Sequence, residues 1–247
     1  MPDQIAHYLY GCEMLRRAGL DKRIDAASPA FRAGTFGPDP LFNDLHAGIR
    51  RIGFGMHKHS GREAMERLRH GDAAYAAGFF CHYALDRICH PLLYDMDRKG
   101  EAKHVPVETA LDRILYKKGM GKLLLTLPLG DDTCRTAAQL YPGLSPAGFQ
   151  KDVNIYLKLR RIMSTSGTPL AAVTAAVLPK FRGLVPFSAP DDKTRRGIER
   201  LERVMTDNID LAAEELARCF DAIDNDAAFD EWLEADFSGQ WPVVSGQ

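Results

Sequence analysis

The chain has 247 residues, 45% of them hydrophobic and 26% charged, with a formal net charge of −1. That is ordinary soluble globular composition with enough residues for a substantial core, and its near-neutral charge gives no general attraction to nucleic acid or an anionic membrane. No apolar run approaches the roughly 20 residues that a bilayer-crossing helix needs.

The first residues, MPDQIAHYLYGCEMLRR, lack the basic-then-apolar pattern of a signal peptide, so a cytoplasmic protein is expected. The five cysteines are odd in number and contain no CxxC pair, which argues against a disulfide framework.

Residues 3–18 read as a helix, with Ile5, Tyr8, Leu9, Cys12 and Leu15 on one stripe and Gly19 as its stop. His7 adjoins that stripe. Ser28-Pro29 reads as the cap and first-turn proline of a short helix reaching Gly34. GTFGPDP follows, and its two prolines and two glycines define a tight, fixed loop that holds Asp39. A turn aspartate of this kind either bonds its own backbone or serves a site.

Ser60-x-x-Glu63 is a capping-box signature for a helix over 61–70, with His57 and His59 just ahead of it. His46, His59 and His70 are expected in solvent. Asp72 can cap a central helix over 73–90, which Pro91 ends or kinks at His90. A helix over 105–118 turns Val107, Ala110, Leu111, Ile114 and Leu115 inward, tolerates Pro106 in its first turn and stops at Gly119.

Residues 119–146 show no readable period; LLLTLPL suits a short strand, a docked loop or the wall of a substrate cleft. Helices resume at 147–164 and 169–178, followed by the irregular FRGLVPFSAP. A long amphipathic helix over 191–223 presents Ile198, Leu201, Val204, Met205, Ile209, Leu216 and Phe220 on its inner side. A short helix near Trp232 and a loose tail complete the chain. The expected architecture is all-α, a single multi-helix domain over 1–247 with a metal cluster between core helices.

The metal expectation comes from CHYALDRICHPLLYDMDRKGEAKHVPVE, residues 81–108. His82, Asp86 and His90 recur every four residues, and four residues advance a helix by about 400°, so each sits only about 40° round from the last. His104 and Glu108 repeat the interval. A lone histidine on an apolar helix is ordinarily a hydrogen-bonded core residue. Here, however, two histidines and an aspartate share one face amid AAYAAGFF and ICHPLL, and buried ionisable groups need partners. A shared divalent metal is such a partner, and imidazole with carboxylate suits zinc, or another borderline metal, better than calcium or magnesium. Cys81 and Cys89 flank the histidines and read as buried thiols.

Taken in order, His7, Asp39 within GPD, His57, His82-x3-Asp86, His90 and His104-x3-Glu108 resemble the zinc-dependent phospholipase C family, which is related to the secreted single-strand zinc nucleases. The resemblance covers residues 1–115, the metal-site half, and leaves 116–247 as helical completion. It implies an all-helical domain that binds two or three zinc ions and cleaves phosphodiesters. By position, it places His57, His82 and Asp86 on one metal, with Asp39 nearby as ligand or general base. His90, His104 and Glu108 would hold the second, and His7, with Asp86 bridging, the third. Two features depart from the family. The secreted enzymes begin with a tryptophan whose amine and carbonyl help bind the third metal, whereas this chain begins Met-Pro, leaving a Pro2 amine as the substitute. The interval from Asp86 to His90 is also shorter than in the secreted phospholipases.

A phosphodiester is an anion with a poor leaving group, and paired metals suit it because they neutralise its oxygens and activate water. The leading expectation is therefore a zinc-dependent phosphodiester hydrolase with a phospholipid or small phosphoester substrate. Single-stranded nucleic acid is disfavoured by the absence of a concentrated basic patch. The alternative from another class is a metal-binding protein in which the ions only brace the helices. HD-type phosphohydrolases need a His-Asp dipeptide, which none of the eight histidines supplies, and di-iron bundles need paired Glu-x-x-His motifs, of which only Glu101-x-x-His104 occurs.

Overall fold

The structure, a computed structural model, describes residues 4–44, 46–125, 127–164 and 190–240. Among these residues the chain forms nine α-helices and no strand, in one all-α domain. The α-helices are α1 (Gln4–Arg17), α2 (Pro29–Gly34), α3 (Ala47–Met56), α4 (Gly61–Leu68), α5 (Ala73–Arg98), α6 (His104–Lys117), α7 (Asp131–Leu140), α8 (Pro146–Ser164) and α9 (Asp192–Asp224). Short 3-10 turns cover Asp39–Asn43, Met120–Leu124 and Glu231–Glu234. None of the described helices is long and apolar enough to cross a membrane.

Helix α5 is the axis of the fold. Its first half is apolar all round, which buries a helix on every side, and α1, α2, α4, α6, α7 and α9 all pack against it. Asp72 caps it by accepting from the amides of Ala74 and Tyr75, while its second oxygen accepts from Thr133 Oγ1 on α7. The helix does not stop at His90 but runs through Pro91 to Arg98. Pro91 offers no N–H to the Arg87 carbonyl, yet Leu93 and Met96 beyond it are fully buried, and that burial carries the helix past the defect.

Helices α2 and α5 cross with their backbones in contact at Gly34 and Gly78. A Cβ on Gly78 would lie 2.9 Å from Gly34 Cα and from the Thr35 amide, so neither position has room for a side chain. Helix α1 is anchored at its start from far along the chain. The amides of Ile5 and Ala6 donate to the two carboxylate oxygens of Asp112 on α6, both at 2.9 Å. The 33-residue α9 lays Ile198, Leu201, Ile209, Leu216 and Phe220 against this core.

Several expectations need correction. Helix α3 went unread because its ten residues include three glycines, which weaken the helical signal. Helix α7 lies inside the stretch that showed no period. The capping box of α4 is only half formed: Ser60 Oγ accepts from the Glu63 amide, but the Glu63 carboxylate turns to His59 and Arg67. Of the alternatives for LLLTLPL, its described residues fit the docked loop: Leu123 packs on Ile5 and Leu127 joins the main core. The tail is not loose up to residue 240, because Phe237 is fully buried. The helix expected over 169–178, the FRGLVPF segment and Pro2 lie outside the described residues.

Candidate metal centre

Asp86 stands at the middle of α5 with no exposure to solvent, and four imidazoles surround it. Nε2 of His7 and of His90 lie 3.3 and 3.5 Å from Oδ1, and Nε2 of His57 and of His82 lie 3.3 Å from Oδ2. Asp39 adjoins the second side, its Oδ1 3.6 Å from His57 Nε2 and 4.0 Å from His82 Nε2. The eight residues fall into three groups of mutually close ligand atoms: His7, His82 and Asp86; Asp39, His57 and His82; and His90, His104 and Glu108. Asp39 groups with His57 and His82, and Asp86 Oδ2 lies nearer still to both, so Asp86 adjoins that group as well as His7 and His90. His46, His59 and His70 stand apart in solvent.

Local structure aims each ring. Three histidines turn Nδ1 to a backbone carbonyl: His57 to Gly53, His82 to Thr35 and His90 to Phe237, at 3.3, 3.2 and 3.0 Å. A carbonyl only accepts, so Nδ1 carries the hydrogen and Nε2 keeps its lone pair toward Asp86. His57 follows directly from α3 as its C-cap residue. Gly37, at φ +52, lies against the His82 ring where any side chain would collide, and His7 stacks on that ring at 4.2 Å. Asp39 opens its 3-10 turn, and Tyr156 on α8 donates a long hydrogen bond to its Oδ2 at 3.4 Å. His104 opens α6 and its Nε2 lies 2.8 Å from Glu108 Oε1.

The donor set fits a metal. Nε2 of His7, His57, His82 and His90, Asp39 Oδ1 and both oxygens of Asp86 are buried without a hydrogen-bond partner. Lone pairs facing lone pairs in a dry interior are costly unless a cation sits among them. Two ligands on a tetrahedral zinc at about 2.0–2.1 Å lie about 3.3–3.4 Å apart, which matches the spacings around Asp86.

Electrostatics agree. Burial, reinforced by His82, lowers His7 to about 4, although Asp86 pulls the other way. Burial lowers His90 to about 3 against the pull of Asp86. Burial raises Asp39 to about 6. For Asp86 burial acts upward, but the surrounding imidazoles, His90 and His82 foremost, hold it well below the usual carboxylate range. Burial acts downward on His82, but the Asp86 and Asp39 carboxylates outweigh it and raise this ring.

A cleft of about 700 Å³ opens onto His57, His90 and His104. Its rim carries Phe42, Phe54, Tyr94, Val105 and Lys58. Phe54 is 58% exposed and stacks on Phe42 at 4.3 Å. These rim residues and the Phe237 carbonyl were missed in the sequence. Phe54, three residues before His57, had a helical-spacing signal once α3 is recognised; the carbonyl had none. No family model matches the chain, and neither a curated protein nor a solved structure does.

Proposed function

We propose that the protein is a metal-dependent phosphodiester hydrolase similar to the zinc-dependent phospholipases C. The observation that carries the reading is the set of unpartnered lone pairs converging on Asp86 beside an open cleft. Zinc is the ion proposed, held by His7, Asp39, His57, His82, Asp86, His90, His104 and Glu108. Bound there, it would polarise the phosphoryl group and bring the pKa of a water to about 7.

The chain's own residues supply the remainder. Asp39 is the proposed general base: it touches the solvent-facing His57, its Oδ1 has no competing hydrogen bond, and burial places its carboxyl within reach of neutrality. Lys58 on the rim attracts the phosphate anion, and Phe54, Tyr94 and Val105 receive the apolar portion of the alcohol. A phospholipid or small phosphodiester therefore suits the cleft better than an extended nucleic acid.

One group favours a bracing role alongside catalysis. His7, His82 and Asp86 are wholly buried, so an ion there would tie α1 to α5 without meeting a substrate.

The test is turnover of bis(p-nitrophenyl) phosphate by zinc-loaded protein, before and after chelation. Chelator-sensitive turnover that zinc restores, and that Asp39→Asn abolishes, supports the hydrolase. Stoichiometric zinc with no turnover of this substrate or of a short-chain phospholipid would leave the bracing role alone.

A further inference from the structure

The chain's last described segment, Ala235–Gln240, reaches back over 140 residues to the metal centre. It is a self-bonded turn. Asp236 Oδ1 accepts from the amides of Ser238 and Gln240 and from Ser238 Oγ, and the Asp236 amide donates to the Gln240 carbonyl at 2.8 Å.

Two features of α5 hold this turn in place. Tyr83, next to His82, donates from its hydroxyl to the Ala235 carbonyl at 2.9 Å, and Trp232 packs edge-on against the Tyr83 ring at 5.5 Å. One helical turn further on, Gly239 closes over α5 at Arg87 and Pro91. A Cβ on Gly239 would lie 3.0 Å from the Arg87 oxygen and 3.3 Å from Pro91 Cγ, and Gly239 has φ +73. The proline that interrupts α5 thus coincides with the seat of the returning chain.

Docked in this way, the segment presents Phe237 to the site. Its carbonyl accepts from His90 Nδ1 at 3.0 Å, and its ring lies 5.0 Å from the His57 ring and 6.0 Å from that of His82. We propose that the segment is a clamp that fixes the tautomer and aim of His90, with Tyr83 and Gly239 as its positioning residues. The consequence for metal affinity rests on the hydrolase reading above; the effect on the ring does not.

The clamp explains why His90 can keep Nε2 free although Pro91 follows it directly. His82 and His57 take their orienting carbonyls from Thr35 and Gly53, within the metal-site half of the chain. Of these three, His90 takes its carbonyl from the far end. The clamp thereby makes completion of the centre depend on folding of the C-terminal half.

The experiment uses the full chain as wild type, Tyr83→Phe, Gly239→Ala and, as a control, Gly19→Ala, whose φ of +71 imposes similar backbone strain with nothing within 4 Å. Long-range ¹H–¹⁵N spectra of the metal-free proteins read the His90 tautomer, and cobalt(II) titration reads affinity ion by ion. The wild type and the control should hold His90 as the Nδ1–H tautomer. Tyr83→Phe and Gly239→Ala should mix the tautomers and weaken one cobalt ion roughly tenfold to a hundredfold, the usual effect of losing such a support. An Nε2–H tautomer in the wild type, or clamp variants with the control's spectra, overturns the clamp. A wild type that binds no cobalt overturns the metal reading, and the tautomer spectra then judge the clamp by themselves.

Discussion

Gly37→Ala probes how the loop before Asp39 shapes the site. Gly37 has φ +52, in the left-handed region, where a residue with a side chain costs about 1–2 kcal/mol. The added Cβ would also lie 2.5 Å from His82 Nε2 and 2.6 Å from its Cγ. The His82 ring has no exposure, His7 stacks on it, and its Nδ1 is tied to Thr35, so it cannot swing away without cost. Overpacking of this kind adds about 1–3 kcal/mol, giving a total of about 2–5 kcal/mol. Gly19→Ala, with φ +71 and open space around it, should show only the backbone share of about 1–2 kcal/mol. Urea denaturation of both variants, with zinc content measured on the same samples, separates the two terms. Gly37→Ala should be the less stable and should lose zinc, whereas Gly19→Ala keeps it. Equal stability and equal zinc in both would refute the account of the loop.

Asp112→Ala leaves the first amides of α1 without their acceptor and should cost about 1–2 kcal/mol, with hydrogen exchange quickened at Ile5 and Ala6. Asp152→Asn tests pH dependence. Burial, helped by the adjacent Asp44 carboxylate, raises Asp152 from 3.8 to about 7, so the folded chain keeps a proton that the unfolded chain releases. Stability should therefore fall as pH rises from about 4 to 7, by at most about 1.4 kcal/mol per unit, and level off above. The substitution should remove that slope, so the variant gains on the wild type between pH 5 and pH 8 in thermal melts; a constant difference would refute the assignment. Tyr156→Phe removes the hydroxyl that donates to Asp39 and should lower turnover several-fold with zinc content unchanged; loss of zinc instead would make Tyr156 a support of the ligand shell rather than of the base.

Much of this architecture is legible in the sequence where a single element decides the outcome. The four-residue spacing of His82, Asp86 and His90 needs only a helix to bring the groups together, and the apolar surroundings of α5 announce its burial. The stripe on α9 and the Ser28-Pro29 cap are equally local signals. The rest depends on tertiary partners. Gly53 weakens the helical signal of α3, yet it is small because Leu41 and Phe42 pack where its side chain would stand. Pro91 reads as a helix end because the burial of Leu93 and Met96 beyond it is invisible locally. Phe237 leaves no trace as a site residue, since it contributes a backbone carbonyl. Asp112 reads as one more polar residue on α6 until α1 arrives above it.

The most direct measurement is the zinc content per chain of wild type and Asp86→Asn, by native mass spectrometry after equilibration with zinc. Asp86 lies within 3.5 Å of four imidazole Nε2 atoms, so replacing one carboxylate oxygen by an amide should disturb both sides of the centre. The account predicts two or three zinc ions on the wild type and at least one fewer on the variant, with both chains folded. A folded wild type that takes up no zinc would contradict the metal centre and, with it, the proposed hydrolase.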